Sequence, residues 1–121
     1  MARSRTSARA AGARFVAASD VEAAGKAVQR FGQPNAEAER LLAIAHGAAI
    51  LVVDNVEPGK LEGAVGQLVM SRHDAHRSTI VTTWMSEGEA GKSYGAGWAR
   101  RVYETTVELP ARGVKLRAVG S

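Results

Sequence analysis

Two runs of apolar and β-branched residues show no alternation of polar and apolar positions. The first covers Ala48 to Val53 and the second covers Ser78 to Thr83. Strands that are covered on both faces of a parallel sheet have this pattern, so both runs are predicted to be parallel strands. A further short strand is predicted over Ala13 to Ala18.

The segments between these strands have helical signals. Ser19 followed three residues later by Glu22 predicts a capping box for a helix that ends near Phe31. Asn35 is the expected N-cap of a second helix, which ends at Gly47. Strand therefore alternates with helix in this half of the chain.

The second half continues the alternation. A third helix, ending near Arg72, is predicted from one apolar face made by Leu61, Ala64, Val65, Leu68 and Val69. A fourth is predicted over Tyr94 to Glu104, followed by closing strands over Thr105 to Leu109 and Val114 to Ala118. The order of elements predicts an α/β domain with a mostly parallel sheet.

Composition narrows the class of protein. With 121 residues and 45% hydrophobic content, the chain can bury one modest core. It contains no cysteine, which excludes disulfides and thiolate metal sites and agrees with a cytoplasmic setting. The apolar runs are shorter than the roughly 20 residues that a membrane helix needs, so no membrane partner is expected.

The net charge of +4 is concentrated at the start of the chain. The basic residues that precede the first acid, Asp20, are Arg3, Arg5, Arg9 and Arg14. Such an arm can contact nucleic-acid phosphates, which makes these arginines the candidate nucleic-acid residues. A solvated tail, the first turns of a helix and an organellar transit peptide are the alternatives.

The candidate chemistry lies where two predicted strands end. Asp54 follows the first apolar run and Thr83 ends the second. Ligands of open α/β sheets bind at the carboxyl ends of the strands. A carboxylate in this place is the Walker B arrangement, which holds Mg²⁺ on nucleotide phosphates through water, although it can equally cap a turn.

Four segments resemble, in order, the bacterial helicase-loader and transposase-helper ATPases of the DnaC and IstB type. They are "ARFVAASDV", "ILVVDNVEPG", "STIVTTWMSEGEAGKSYGAGWARRVYE" and "VELPARGVKLR". They look like the second strand, the Walker B segment, the sensor strand with its arginine-bearing helix, and the closing strands of that AAA+ family. The resemblance runs from about Gly12 to Arg117.

The resemblance implies a three-layer P-loop-NTPase-like core, partial over 13–121 and preceded by a basic arm or helix remnant over 1–12. It also implies ATP and Mg²⁺ as cofactors, and a replicative helicase or a transposase, neighbouring subunits and single-stranded DNA as partners. Asp54 would hold Mg²⁺, Thr83 would be the sensor, and Arg101 would reach a neighbour's nucleotide as an arginine finger. The implied function is that of an ATP-binding accessory protein in DNA replication or transposition.

The sequence departs from this family at each catalytic position. The Gly-rich Walker A loop and the first strand, which the family has before "ARFVAASDV", are absent. Asn55 stands in place of the second Walker B acid, with Glu57 two residues further on, and Trp84 follows Thr83 where the family has Asn. An amide cannot act as a base, so nucleotide binding is expected to be weak or lost and autonomous hydrolysis is not expected.

Two other interpretations stay open. The chain can be a non-catalytic basic module that binds nucleic acid or supports assembly with an inherited α/β fold. It can also be a gene fragment whose P-loop half lies upstream. The two differ in whether residues 13–121 form a complete folding unit.

Several local motifs are better explained by structure than by chemistry. Gly88, Gly91, Lys92 and Ser93 resemble the end of a Walker A loop, but Ser86 replaces its first glycine and the remaining chain is too short. The metal ligands that zinc needs beside the histidines His46, His73 and His76 are not evident. Core packing is the favoured role of Trp84 and Trp98 over base stacking.

Overall fold

The computed structural model describes residues 13–30, 34–104 and 115–119, the last as the backbone of a strand. In chain order the elements are β1 (Ala13–Ala17), α1 (Ala18–Val28), α2 (Ala36–Gly47), β2 (Ile50–Val56), α3 (Ala64–Asp74), β3 (Ser78–Thr83), α4 (Glu87–Tyr94), α5 (Ala96–Tyr103) and β4 (Lys115–Val119). The alternation predicted from the sequence is confirmed.

The four strands form one sheet in the order β1-β2-β3-β4. The first three are parallel, with Phe15 beside Val52 and Val52 beside Ile80. Strand β4 pairs with β3 in the antiparallel sense. The mostly parallel sheet is therefore confirmed.

The core lies on one face of this sheet. On β2, Leu51 and Val53 are fully buried, whereas Ile50 keeps 45% of its surface exposed and Val52 is half-buried. All five described helices contribute to the single apolar cluster that contains Leu51 and Val53, which we call the covered face. The opposite face, which carries Phe15, Ile50, Val52 and Ile80, is called the open face.

The described residues thus form two layers, where three were expected. Strands β1, β2 and β3 follow one another in space in chain order. Because crossovers between parallel strands are right-handed, consecutive crossovers that advance in one direction place their helices on the same side. A second helical layer needs a reversal of strand order, and the three parallel strands contain none.

A buried arginine joins the helical layer to the sheet. Arg72 is 1% exposed. Its guanidinium donates to the carbonyl oxygens of Ala45 at 2.9 Å, Ala48 at 2.7 Å and Ser78 at 2.7 Å, and to Thr79 Oγ1 at 2.8 Å. These acceptors lie at the carboxyl end of α2 and at the start of β3. The Arg72 side chain therefore holds α2 and β3 in place relative to α3.

The predicted capping box at the first helix is wrong. Helix α1 begins at Ala18 directly after β1, and its N-cap, Ala17, makes no side-chain cap hydrogen bond. Ser19 is therefore already inside the helix. Glu22 instead accepts a hydrogen bond from Val65 N at 3.1 Å, so its carboxylate caps the neighbouring helix α3. Tertiary packing replaces the local cap here.

The other predicted cap is confirmed. Asn35 Oδ1 accepts from Ala38 N at 2.9 Å, and α2 ends at Gly47 as expected. Strand β3 also has the predicted bounds. Helix α3 begins at Ala64, three residues later than its first apolar position, and strand β2 extends to Val56 rather than ending before Asp54.

The helix predicted over Tyr94 to Glu104 corresponds to α5, and the helix before it, α4, was not predicted. Helix α4 is opened by a full capping box between Ser86 and Glu89. Gly95, at φ 100°, separates it from α5. Only glycine adopts this conformation without strain, which explains the break. Of the predicted closing strands, the second corresponds to β4 and Thr105 to Leu109 lies outside the described residues.

Among the described helices, none has the length and apolar character that crossing a membrane requires.

Candidate functional site

Asp54 lies on the open face at the carboxyl end of β2, beside β3. Its Oδ1 accepts a hydrogen bond of 2.6 Å from the hydroxyl of Thr82. That hydroxyl in turn accepts from the backbone N–H of Asn55 at 2.8 Å. The proton of Thr82 is committed to Asp54, so the pair fixes the carboxylate and leaves its second oxygen free for a ligand.

A local irregularity of β2 produces this arrangement. The pairing of β2 with β3 shifts between Val53 and Val56, and Asn55 adopts φ 59°. Asparagine tolerates this left-handed conformation better than most residues. The bulge turns the Asn55 N–H toward Thr82 and places both Asp54 and Asn55 at the exposed end of the strand.

Thr83, the predicted sensor residue, lies on the covered face. It is 3% exposed, and its hydroxyl donates to Val56 O at 2.6 Å and accepts from Met85 N at 3.1 Å. Both contacts hold the backbone after the strands. The hydroxyl beside Asp54 belongs to Thr82, a residue that the sequence analysis did not single out. Thr82 lies two residues after Ile80, so the two side chains are expected on the same face of β3. Only the pairing register of β3 with β2 tells that Asp54 lies on this face.

The two tryptophans have opposite environments. Trp98 is 2% exposed and stacks on Tyr94 with ring centroids 4.3 Å apart, which confirms core packing. Trp84 is 62% exposed, so core packing is wrong for this residue. Trp84 follows the end of β3 at Thr83 and is exposed between two buried residues, Thr83 and Met85.

These groups line an open cavity of about 340 Å³, bordered by Asp54, Asn55, Thr82, Thr83 and Trp84. Among the described residues that line it, Asp54 is the one with a charged side chain. Mg²⁺ usually keeps several waters and binds through one or two carboxylates together with substrate phosphates. A single exposed carboxylate fits such an ion. In the described residues, no group of three acidic, histidine or cysteine side chains is placed to hold a metal ion.

Glu57 does not replace the missing second acid in this cavity. It lies in a larger groove of about 980 Å³ beside α1 and the 57–63 loop, together with Glu22 and Lys60. Its carbonyl oxygen accepts from the Tyr94 hydroxyl at 2.7 Å. Burial, together with the charges of Glu22 and Glu57, raises the pKa of Tyr94 to about 12. Tyr94 thus serves as a structural donor.

Neither Arg101, assigned by resemblance, nor Arg14, assigned from the N-terminal charge, borders this cavity. The Arg101 guanidinium contacts Met70 Sδ at 4.0 Å and donates to Gly97 O at 3.4 Å. Arg14 is exposed on strand β1 and reaches the carbonyl of Ala13 at 3.4 Å. Arg3, Arg5 and Arg9 fall outside the described residues.

The second candidate phosphate loop is a helix. Gly88, Gly91, Lys92 and Ser93 all lie within α4, where the backbone N–H groups are used by helical hydrogen bonds after the first turn. This segment therefore cannot cradle phosphates as a P-loop does.

The histidines also form no cluster. His46 Nδ1 lies 3.0 Å from Ser71 Oγ, and His73 Nδ1 lies 3.8 Å from Asp74 Oδ1.

Comparison of the chain with protein-family models, with curated proteins and with solved structures gives no match.

Proposed function

We propose that this chain is an ATP-binding accessory protein of DNA replication or transposition, related to the DnaC and IstB type of AAA+ ATPase and unable to hydrolyse ATP by itself. The observation that carries this proposal is the Asp54 and Thr82 pair. A carboxylate and a hydroxyl on adjacent parallel strands meet at the carboxyl end of the sheet, 2.6 Å apart. This is the place where α/β sheets bind ligands.

In this proposal Asp54 would hold Mg²⁺ through water, and the ion would supply positive charge to the nucleotide phosphates. Thr82, rather than the predicted sensor Thr83, lies beside Asp54, and its hydroxyl holds the carboxylate in one orientation. Arg101 keeps its proposed role toward a neighbouring subunit only if it leaves Met70 and Gly97. A helicase, a transposase and copies of the same chain are the proposed partners.

One feature supports binding without hydrolysis. The side chain beside Asp54 is the amide of Asn55, which cannot accept a proton from water. The proposed activity is therefore nucleotide-dependent binding to a partner, with any hydrolysis supplied in trans.

Isothermal titration with ATP and Mg²⁺ tests this proposal. We expect weak, Mg²⁺-dependent binding that is lost in Asp54→Ala. Asp74→Ala removes an exposed carboxylate at the far end of α3 and should bind like the wild type. Absence of heat at millimolar nucleotide, or equal binding by the two variants, would refute the nucleotide site.

A second proposed function, binding of single-stranded DNA, is favoured by the positive charge at the start of the chain. Four arginines precede the first acid, and the one within the described residues, Arg14, is exposed on strand β1. We infer that a non-catalytic module would bind single-stranded DNA through this arm. Four phosphate contacts give a slope of log K against log salt of roughly −3. Binding of this kind should survive Asp54→Ala and disappear when residues 1–12 are deleted; a shallow slope or unchanged binding would count against it.

A further inference from the structure

Trp84 is unusual in its exposure and its place. Tryptophan is highly buried on average, yet Trp84 keeps 62% of its surface exposed. It directly follows β3 and borders the same cavity as Asp54 and Asn55. A broad planar ring therefore lies at the cavity that the Asp54 carboxylate borders.

The backbone on both sides of Trp84 is held in place. Thr83 Oγ1 donates to Val56 O at 2.6 Å and accepts from Met85 N at 3.1 Å. Met85 is 4% exposed, and its carbonyl oxygen accepts from the Tyr103 hydroxyl. Both neighbours of Trp84 are thus buried and hydrogen-bonded. The exposed ring stands on a fixed backbone, which lowers the entropy cost of stacking a ligand on it.

We propose that Trp84 is the stacking surface for the base of a nucleotide unit whose phosphate lies at Asp54. This inference rests on the proposed function, in which Asp54 binds phosphate through Mg²⁺. The cavity volume of about 340 Å³ lies at the lower end of the range for small-molecule sites, which suits one nucleotide unit. Tryptophan stacks on any base because every base has a π-face.

Two kinds of ligand have this chemistry: a free nucleotide, and one nucleotide unit within a single strand of nucleic acid. Both present a planar base and a phosphate within one unit. Stacking on an exposed aromatic residue is a feature of proteins that bind single strands without sequence preference. Titrations with Mg²⁺ and ATP, and separately with an oligothymidylate, distinguish the sources.

Tryptophan fluorescence gives a direct measurement. The chain has two tryptophans, and Trp98 is buried against Tyr94. Quenching on titration therefore reports on Trp84, and Trp84→Phe removes this signal while keeping an aromatic ring. Affinities by isothermal titration are compared for the wild type, Trp84→Phe, Trp84→Ala and Asp54→Ala. Phe15→Ala is the matched control, since Phe15 is 73% exposed and does not border the cavity.

We expect Trp84→Ala to weaken binding by about 5- to 100-fold, Trp84→Phe to retain part of the affinity, and Phe15→Ala to bind like the wild type. Circular dichroism should show the same fold in all of them, because Trp84 is exposed. If Trp84→Ala binds like the wild type while Asp54→Ala does not, the stacking role is wrong and the phosphate site stands. If neither ligand binds the wild type, both proposals fail.

Discussion

Thr82 and Thr83 are neighbours in the chain with opposite tasks. Thr82 faces the open side and donates to Asp54, while Thr83 faces the core and bonds to Val56 and to Met85. One hydroxyl fixes a candidate ligand-binding carboxylate. The other satisfies buried backbone groups, which would cost about 1–3 kcal/mol if left unpaired.

Replacing each threonine by valine should separate these tasks. Thr83→Val leaves the buried Val56 carbonyl and Met85 N–H without partners, so the free energy of unfolding should fall by about 1–3 kcal/mol with ligand affinity kept. Thr82→Val removes a partly exposed bond, costs about 0.5–1 kcal/mol and weakens nucleotide binding. Urea melts and titration measure both. A larger loss of stability in Thr82→Val would contradict the assignment.

His46 makes the stability depend on pH. Burial, and then the charge of Arg72, lower the pKa of His46 below its ordinary value of 6.5. Between the lowered folded pKa and 6.5 the unfolded chain binds the extra proton, so stability rises with pH across this window. The contribution of His46 to stability is lost as the pH falls from 6.5 toward the pKa of His46 in the folded protein.

We therefore expect thermal melting temperatures to fall as the pH is lowered below about 6.5. The decrease should be smaller in His46→Gln, which cannot take up the proton. His76→Gln, at an exposed turn after α3, is the matched control and should keep the decrease of the wild type. Equal pH profiles for all three proteins would show that His46 does not contribute.

At the scale of elements, the junction of α2, α3 and β3 depends on Arg72. Four of its acceptors are Ala45, Ala48 and Ser78 carbonyls and the Thr79 hydroxyl. We expect Arg72→Met to lower the free energy of unfolding by more than about 3 kcal/mol, because several buried acceptors lose their donor at once. Arg77→Met removes one exposed bond to Gly47 O and should cost about 0.5 kcal/mol. Similar chemical denaturation midpoints would refute this role.

Helices α1 and α3 approach closely at Gly25. A Cβ added there would lie 2.6 Å from Ala64 Cβ, whereas one added at Gly47 meets nothing within 4 Å. Gly25→Ala should therefore cost about 1–3 kcal/mol through overpacking. Gly47→Ala should be neutral or stabilise by up to about 1 kcal/mol, since alanine favours helix. Opposite signs in thermal melts support the close packing, and a stabilising Gly25→Ala would contradict it.

At the scale of the whole molecule, the sheet has a covered face and an open face. The described helices bury Leu51 and Val53, while Phe15 is 73% exposed on the other side. Parallel sheets are usually covered on both faces. The consecutive order of the three parallel strands explains why a single helical layer forms here.

This asymmetry can be measured by substitution. Leu51→Ala should lower the free energy of unfolding by about 2–5 kcal/mol, because it leaves a cavity in the core. Phe15→Ser should change it by less than about 0.5 kcal/mol, because the side chain is largely in water already. A large cost for Phe15→Ser in urea melts would mean that the open face is covered in solution.

The sequence alone determined the alternation of strand and helix, the bounds of β3, the Asn35 cap and the position of Asp54 in the carboxyl-terminal half of a strand. These depend on local periodicity and on interactions within a few residues. It did not determine the cap of α1 or the environment of Trp84, because both depend on where distant segments pack. Helix α4 was also missed, although its capping box between Ser86 and Glu89 is a local signal.

Only the tertiary structure decided which hydroxyl meets Asp54. A shift of one residue in the register of a strand moves every side chain to the other face. The bulge of β2 lies between Val53 and Val56, where it affects which threonine of β3 faces Asp54. Likewise, the order of the strands decided that the described helices form one layer. Pairing partners and strand order are long-range choices, which is why the composition and the spacing of residues leave them open.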